Sequence, residues 1–244
     1  MRTDRSNFLS IDFDHLTFGD AIARMRAVMP GTPFGYVVTP NVDHIVRLHQ
    51  EPSLREAYRT ASLCVCDSQI LRLLARFSRV RLELVRGSDL SSAVLEKVVE
   101  DGDTVAVIGS SADSVAQLRK IYPGVTFLHH EPPMNLRANL AARAAAADFI
   151  ASSKARFSLL AVGSPQQEMI AHAALLRGDC HGFALCIGAG LDFVTGKQRR
   201  APRLLQSAGL EWAHRLASNP RRLWKRYLVD GVRILPIYMR WVIS

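Results

Sequence analysis

The chain has 244 residues, of which 48% are hydrophobic and 22% are charged, as in an ordinary globular protein and unlike a disordered one. No segment approaches the ~20 uninterrupted apolar residues of a membrane-spanning helix. The first ten residues lack the apolar core of a signal peptide. The sequence therefore predicts a sizeable core in one or two domains and a protein that is not exported.

The positive charge is concentrated in the last fifth of the chain. The net charge is +9, and residues 197–244 contain eleven Lys and Arg residues against two acidic ones, which accounts for the whole excess. We expect this segment to meet a negatively charged partner: phosphates, an anionic membrane face or nucleic acid.

The hydrophobic pattern predicts short strands that alternate with helices. A strand or hairpin is expected over residues 7–14, and Thr17-Phe-Gly-Asp20 resembles a capping box at the start of an amphipathic helix. Further strands are predicted at 35–39, 62–66, 103–108, 125–128, 157–162 and 183–187. Further helices are predicted at 42–49, from Pro52, and at 69–77, 89–100, 112–121, 135–152 and 166–176.

This alternation predicts an α/β, Rossmann-like fold: a mostly parallel sheet with helices on both faces, plus a C-terminal basic helical appendage. We place the core at 1–196 and the appendage at 197–244. Right-handed crossovers bring the carboxyl ends of parallel strands to one edge of the sheet. The turns expected there are Thr39-Pro-Asn41, Asp67, Gly109-Ser110, Gly163 to Gln167 and Gly188 to Asp192. Such an edge is where ligands bind in these sheets.

The stretch from Val162 to Glu168 is the centre of the predicted site. A buried strand stops at Gly163, and Pro165 is expected in the first turn of the next helix, whose backbone N–H groups can hold an anion. Two amides and a carboxylate, Gln166, Gln167 and Glu168, share that turn. An ordinary strand–helix junction with a polar first turn would have the same pattern.

Two other turns supply candidate residues with competing interpretations. Asp67 is a candidate general base with a pKa raised by partial desolvation, and it fits a helix N-cap equally well. Asn41 is expected to cap a helix and, with Thr39, to contact a sugar or nucleotide. The Gly109 loop could hold a pyrophosphate, but it lacks the second and third glycines of GxGxxG, which disfavours NAD.

Three further patterns are given structural interpretations. Asp101-Gly-Asp103 resembles a metal–nucleotide DxD motif, but its place before a strand predicts an acidic turn at the opposite edge. His129 and His130 are expected to be solvated loop residues. The four cysteines lack CxxC spacing and are expected to be reduced, buried thiols.

The basic C-terminal segment mixes arginine with aromatic residues, as nucleic-acid surfaces and membrane-surface helices do. Residues 228–243 are rich in apolar side chains, interrupted by Pro236, and suit the surface of a bilayer. We favour membrane or phosphate contact over a helix packed on its own domain, and nucleic acid comes last.

Together these stretches resemble the WecG/TagA/CpsF glycosyltransferases, glycosyltransferase family 26. The matching segments cover most of the chain in order: Val38 to Asp43, the strand–Asp67 junction, Gly87 to Leu90, Val162 to Glu168, Gly188 to Phe193 with Gly196-Lys197, Arg200 to Pro202, and Gly209 to Leu216 with Pro220-Arg-Arg222.

The resemblance implies an inverting, metal-independent transferase that uses no cofactor. Such enzymes move a sugar from a UDP-sugar to a polyprenyl-diphosphate-linked saccharide. We therefore expect a cytoplasmic protein, peripheral on the inner face of the cell membrane, without a nucleic-acid partner. The donor stays open among UDP-glucose, UDP-N-acetylmannosamine and its uronic acid, as does the formation of a homo-oligomer.

The resemblance also assigns roles by position. Asp67 matches the general base, Thr39 and Asn41 match pocket residues, and Gln167 matches the polar residue of the proline–glutamine turn. Arg215, Arg222 and Arg226 are expected to meet the lipid diphosphate or the UDP leaving group, where positive charge is needed. From their place in the turns at the carboxyl edge or in the matching segments, and not from a role in the family, we expect further substrate contacts at Gly109, Ser110, Gly163, Pro165, Gln166, Glu168, Gly188, Asp192, Lys197 and Arg200.

Three departures from the family pattern bear on the identity of sugar and acceptor. Ser68 follows Asp67 where the family usually has glycine, and Leu84 stands where an arginine is expected, with Arg86 as its candidate replacement. The stretch from His130 to Met134 differs as well. The competing hypotheses are a non-catalytic nucleotide-binding module whose basic tail binds nucleic acid or a protein, and a Rossmann oxidoreductase.

Overall fold

The computed structural model describes residues 4–188, 190–197, 202, 213, 216–217, 220–224 and 231–243. The strands in these ranges are β1 Arg5–Phe8, β2 Ile11–Asp14, β3 Gly35–Val38, β4 Leu63–Cys64, β5 Thr104–Gly109, β6 Thr126–His130, β7 Phe157–Ala161 and β8 Phe183–Cys186. The α-helices are α1 Phe18–Arg26, α2 Val42–Gln50, α3 Arg55–Arg59, α4 Gln69–Phe77, α5 Gly87–Lys97, α6 Ala112–Ile121, α7 Leu140–Ser153, α8 Gln166–Arg177, α9 Gly190–Val194, α10 Pro220–Trp224 and α11 Ile234–Ile243. Short 3-10 helices span Pro52–Leu54 and Gly231–Arg233.

Six parallel strands form the central sheet, in the order β4-β3-β8-β7-β5-β6. Strands β1 and β2 form a separate antiparallel hairpin. The predicted α/β fold with a parallel sheet is confirmed. The parallel register brings the carboxyl ends of β3, β4, β5, β7 and β8 to one edge, as the right-handed connection of such strands requires.

The sheet separates two hydrophobic cores, because successive side chains of a strand point to opposite faces. In β3, Tyr36 and Val38 belong to one core and Val37 to the other. The first core also contains apolar residues of α2, α7 and α8, and the second contains those of α1, α5, α6 and α9. Helices therefore cover both faces, which explains why the strands are apolar throughout rather than alternating.

The N-terminal hairpin is joined to the edge strand β4 through Asp14. This carboxylate is buried; it accepts a hydrogen bond from the backbone N–H of Cys64 at 2.7 Å and one from Arg5 Nε at 2.9 Å. A buried charge is tolerated only when it is paired in this way.

Several boundaries differ from the sequence-based expectation. Helix α7 begins at Leu140 instead of residue 135, because Asn135 has a left-handed φ of +67° and Asn139 caps the helix by accepting from the Ala142 N–H. Helix α5 begins at Gly87 instead of residue 89 and ends at Lys97 instead of residue 100. Strand β4 has two residues and is prolonged by a parallel bridge between Cys66 and Leu84.

The last helix, α11, packs one face against the rest of the fold. Ile234 is buried in the first core, and the rings of Tyr238 and Trp241 meet Phe8 edge-on at centroid distances of 6.4 and 5.1 Å. Tyr238 Oη is also 2.7 Å from Ser78 Oγ. Among the described helices, none combines the length and the hydropathy needed to cross a membrane.

The hairpin anchor can be tested with two aspartates of the same strand. Asp14→Ala leaves Arg5 Nε and the buried Cys64 N–H without this acceptor, so we expect the free energy of unfolding to fall by about 2–4 kcal/mol. The Asp12 side chain is exposed and, within the described structure, is hydrogen-bonded only to Asn7. Asp12→Ala should therefore change the free energy of unfolding by less than about 0.5 kcal/mol. Urea unfolding of both variants measures the difference. Equal losses of unfolding free energy would contradict the role of Asp14 as the anchor of the hairpin.

Candidate functional site

A crevice lies between the adjacent strands β5 and β7, because the connections that follow these two strands leave the sheet on opposite faces. After β5 the chain forms α6 on one face of the sheet, and after β7 it forms α8 on the other. The loops therefore diverge and leave an opening at the carboxyl ends of the strands, the position where open α/β sheets bind ligands.

A cavity of about 400 Å³ occupies this crevice. It is lined by the loops after β5, β7 and β8: Ser110, Ser111, Ser114, Ala161, Val162, Gly163, Gly188, Leu191, Asp192 and Lys197. Five of the predicted contact residues are thus brought together. Ser111, Ser114 and Leu191 are pocket residues that the sequence reasoning missed, although the run of serines after Gly109 was the available signal.

Left-handed backbone turns shape the walls of the cavity. Gly109 has φ +85°, and a Cβ at this position would lie 2.5 Å from a methyl group of Val162. Gly163 and Gly188 are also left-handed, with φ of +80° and +54°. Ser110 has φ +64°, an uncommon conformation for a residue with a side chain and one that occurs at ligand sites.

The polar groups of the cavity come mainly from the start of α6. Ser111 caps this helix by accepting from the Ser114 N–H, and Lys197 Nζ donates to Ser111 Oγ at 2.8 Å. The turn before α8 is different: Pro165 precedes the helix and does not lie in its first turn, and the Gln167 N–H already donates to Gly163 O at 3.0 Å. Each of the two helix starts thus has one N–H that is already bonded, and the α6 start has the positive charge of Lys197 beside it, which favours it as the anion site.

Gln167 joins the loops after β7 and β8. Its Oε1 accepts from the Gly188 N–H at 2.8 Å, and its Nε2 donates to Glu168 Oε1 at 2.8 Å. Both side chains are buried, so Gln167 and Glu168 hold the cavity wall rather than lie open within it. We call this pair of hydrogen bonds the Gln167 bridge.

Burial raises the pKa of the Glu168 carboxyl above its ordinary value. Its Oε2 has no hydrogen-bond partner in the described part of the chain, and the nearest base, His44 Nε2, is 3.7 Å from Oε1. A carboxylate in such a place is costly, so the neutral acid is favoured.

His44 connects this bridge to the end of β3. Asn41 caps α2 by accepting from the Asp43 N–H at 3.1 Å, and its Oδ1 is 2.8 Å from His44 Nδ1. The predicted cap role of Asn41 is confirmed. Its contact with a ligand stays a prediction.

Asp67 lies next to this group, at the end of β4. Its N–H donates to Pro40 O at 3.0 Å, which places it beside Thr39 and Asn41. The interpretation of Asp67 as a helix cap is wrong: Ser68 caps α4 by accepting from the Leu71 N–H. Ser68, the departure from the family pattern, thus has a structural role as the cap of α4.

Cys66 precedes Asp67 and pairs with the segment that leads into α5. Burial raises the pKa of the Cys66 thiol to about 12, with the Asp67 charge adding to the effect, so the thiol stays neutral. Leu84, where an arginine was expected, pairs with Cys66 through the backbone. Arg86, two residues later, is half-buried at the start of α5, with its guanidinium 3.9 Å from Asp89.

Other candidates have structural explanations. Asp103 accepts from buried Arg156 at 2.7 Å at the amino end of β5, which confirms an acidic turn at the opposite edge. His129 and His130 lie in β6 and are half-buried, so the expectation of solvated loop residues is wrong. His129 Nε2 is 3.1 Å from Gly109 O, and His130 stacks on Phe149.

Most of the predicted basic contact residues of the C-terminal segment lie outside the described part of the chain. Arg200, Arg215 and Arg226 lie outside the described residues, and Arg222 is described only as a backbone position of α10. Gln166 begins α8 and is half-buried.

The parallel sheet with a polar cavity at its carboxyl edge defines a doubly wound α/β protein of the kind that binds small molecules at that edge. The model of the glycosyl transferase WecG/TagA/CpsF family matches residues 6–244, nearly the whole chain. The chain belongs to this family, and it is therefore a glycosyltransferase by membership, with a nucleotide-sugar donor and a lipid-linked acceptor as the family implies.

The buried Glu168 gives a pH-dependent prediction. Its folded pKa lies above the ordinary 4.5, so the folded state binds the proton more tightly than the unfolded chain, and stability is lost as pH rises from about 4.5 toward the folded pKa. Glu168→Gln keeps an acceptor for Gln167 and removes this loss. The unfolding free energy of the variant minus that of the wild type should become more positive between pH 4.5 and 8.

Urea unfolding across this pH range provides the measurement. Glu131→Gln, at an exposed loop position, controls for the removal of one acidic group. A difference for Glu168→Gln that does not change with pH would show that the carboxyl is not held neutral.

The contact between α5 and Thr39 gives a second prediction. A Cβ on Gly87 would lie 2.7 Å from Thr39 Oγ1, so Gly87→Ala must displace Thr39 and should cost about 1–3 kcal/mol of stability. Gly19→Ala, also in the first turn of a helix, meets nothing closer than 3.7 Å and should be neutral or stabilising by up to about 1 kcal/mol. Thermal unfolding of the two variants measures the difference. A Gly87→Ala variant as stable as Gly19→Ala would refute the close packing of Gly87 on Thr39.

Proposed function

We propose that this chain is an inverting glycosyltransferase that moves a sugar from a UDP-sugar to a polyprenyl-diphosphate-linked saccharide in cell-surface polysaccharide synthesis. The observation that carries the proposal is the arrangement of two groups at one edge of the sheet. A polar cavity with Lys197 lies at β5, β7 and β8, and the Asp67 turn lies at β4 beyond β3. Family membership supplies the class of reaction.

The cavity suits the diphosphate of the donor. The Ser110–Ser111 turn and the start of α6 offer hydroxyl and backbone N–H donors, and Lys197 supplies a positive charge. Preorganised donors of this kind stabilise the charge that develops on a departing diphosphate. We assign the same task to Arg200, Arg215, Arg222 and Arg226, so that in this proposal the protein itself provides the charge that a metal supplies in other transferases.

Asp67 is the proposed general base. Its carboxylate takes the proton of the acceptor hydroxyl while the hydroxyl oxygen attacks the anomeric carbon of the donor sugar. The bond from that carbon to the diphosphate breaks on the opposite side and UDP leaves, so the configuration inverts. Thr39 and Asn41, which adjoin Asp67 through Pro40, are proposed to position the sugar.

The acceptor carries a long lipid, so the enzyme must work at a membrane. We propose a peripheral protein on the inner face of the cell membrane, with residues 1–196 as the catalytic core and 197–244 as the segment that contacts the lipid surface. The outer face of α11 exposes Leu235, Met239 and Val242, which supports this assignment. The inner face of α11 packs on the core, so in this proposal one helix contacts both the lipid surface and the catalytic core.

A UDP-release assay tests the proposal, with a panel of UDP-sugars and a short polyprenyl-diphosphate-sugar acceptor, with and without EDTA. We expect acceptor-dependent release that survives EDTA. Asp67→Asn should lower kcat by about 10²–10⁴-fold, since it removes the base, and should leave the Kd for UDP nearly unchanged. Asp12→Asn is the control for a lost carboxylate away from the site.

The contrary outcomes are distinct. UDP binding without release for any pair would favour a non-catalytic nucleotide-binding module. Release that EDTA abolishes would contradict the metal-independent mechanism. Full activity in Asp67→Asn would remove Asp67 from the role of base.

A further inference from the structure

Helix α4 carries an apolar stripe on its outer face that the proposed chemistry does not use. Ile70, Leu73 and Phe77 follow the i, i+3, i+7 spacing of one helix face and are 39%, 45% and 80% exposed. Leu71 and Ala75 occupy the inner face and are fully buried in the first core. Helix α4 is thus apolar on both sides, and its outer stripe needs a partner.

This stripe lies near a second exposed apolar face, on α11. Leu235, Met239, Val242 and Ile243 are exposed, while Ile234, Ile237, Tyr238 and Trp241 turn toward the core. Ser78, directly after α4, meets Tyr238 at 2.7 Å. The end of α4 and the last helix therefore adjoin, and both helices pack on the first core, on the same face of the sheet.

Arginines flank both apolar faces. Arg72 and Arg76 on α4, Arg79 just after it and Arg240 on α11 are all exposed. Apolar side chains bordered by basic ones are typical of helices that lie in the surface of an anionic bilayer. A bilayer with acidic headgroups matches both the apolar and the basic part of this surface.

The position of α4 ties this surface to the candidate site. The helix begins two residues after Asp67, with only its cap Ser68 between them. At 1.5 Å per residue, the nine residues of α4 extend about 13 Å from the cap. A bilayer that contacts the outer face of α4 therefore touches the chain within roughly that distance of Asp67.

We propose that the outer face of α4, together with that of α11, docks on an anionic phospholipid surface and presents Asp67 to the headgroup layer. This inference rests on the proposed function and deepens it. The basic tail brings the chain to the membrane, and α4 fixes the depth and orientation of the site relative to the acceptor.

Sedimentation of the full-length chain with vesicles tests the proposal, using phosphatidylcholine alone or mixed with phosphatidylglycerol. The double variant Leu73→Ser/Phe77→Ser removes the apolar anchor at exposed positions and should weaken binding to the mixed vesicles at least about tenfold. Arg72→Gln/Arg76→Gln tests the basic border independently and should weaken binding to the mixed vesicles only. Leu176→Ser is the matched control, since this leucine in the last turn of α8 is 72% exposed. It should bind the vesicles like the wild type.

Activity separates this inference from the proposed function. The α4 variants should keep wild-type UDP release with a detergent-free, short-chain acceptor and lose it with a long-chain acceptor embedded in vesicles. Vesicle binding by the α4 variants equal to that of the wild type would overturn the docking surface, even if the enzyme is active. A change of oligomeric state in these variants without a change in vesicle binding would overturn it in favour of contact between copies of the chain. An inactive wild type that still binds vesicles through α4 would refute the proposed function alone.

Discussion

The candidate site depends on the hydrogen bonds by which Gln167 joins the two segments that follow the neighbouring strands β7 and β8. Its amide group fixes the Gly188 N–H on one side and Glu168 on the other, and Glu168 faces His44, which is held in turn by Asn41. This chain of contacts runs from the end of β3 through the first turn of α8 to the end of β8. Gln167 donates to Glu168 Oε1 in a buried setting, where such a hydrogen bond is stronger than in water, so the two side chains hold each other in place. The walls of the cavity are thus linked to the end of β3, where Pro40 O accepts from the Asp67 N–H.

The strand order explains why these loops form a site at all. Helices α6 and α8 leave the sheet on opposite faces after adjacent strands, which opens the crevice. Glycines then allow the backbone to turn within a short distance, and at Gly109 a side chain would collide with the β7 loop. The serines and Lys197 bring polar groups and positive charge to the opening, while Asp67 stays outside the cavity proper, at β4. This separation suits a reaction between two substrates, with one group for the donor diphosphate and another for the acceptor.

Much of this arrangement could be predicted from local sequence patterns, and the exceptions are those that depend on distant contacts. The alternation of apolar runs predicts the sheet and its functional edge, and Asn41 is correctly predicted as a cap, since the capping geometry is local. Asp67 and Ser68 are both good capping residues, so only the structure decides that Ser68 caps α4. The bridge between Cys66 and Leu84, the left-handed Asn135 and the packing of His130 on Phe149 depend on the fold as a whole. The same holds for the contact of Lys197 with Ser111, which favours the start of α6 as the anion site.

The central claim is that the crevice between β5 and β7 holds the donor with its sugar toward Asp67. A crystal structure of the chain with UDP tests this most directly. We expect the diphosphate on the Ser110–Ser111 turn within hydrogen-bond distance of Lys197, with its terminal phosphate directed toward the end of β4. UDP bound elsewhere, at the amino edge of the sheet beside Asp103 or on the surface of α4, would contradict it.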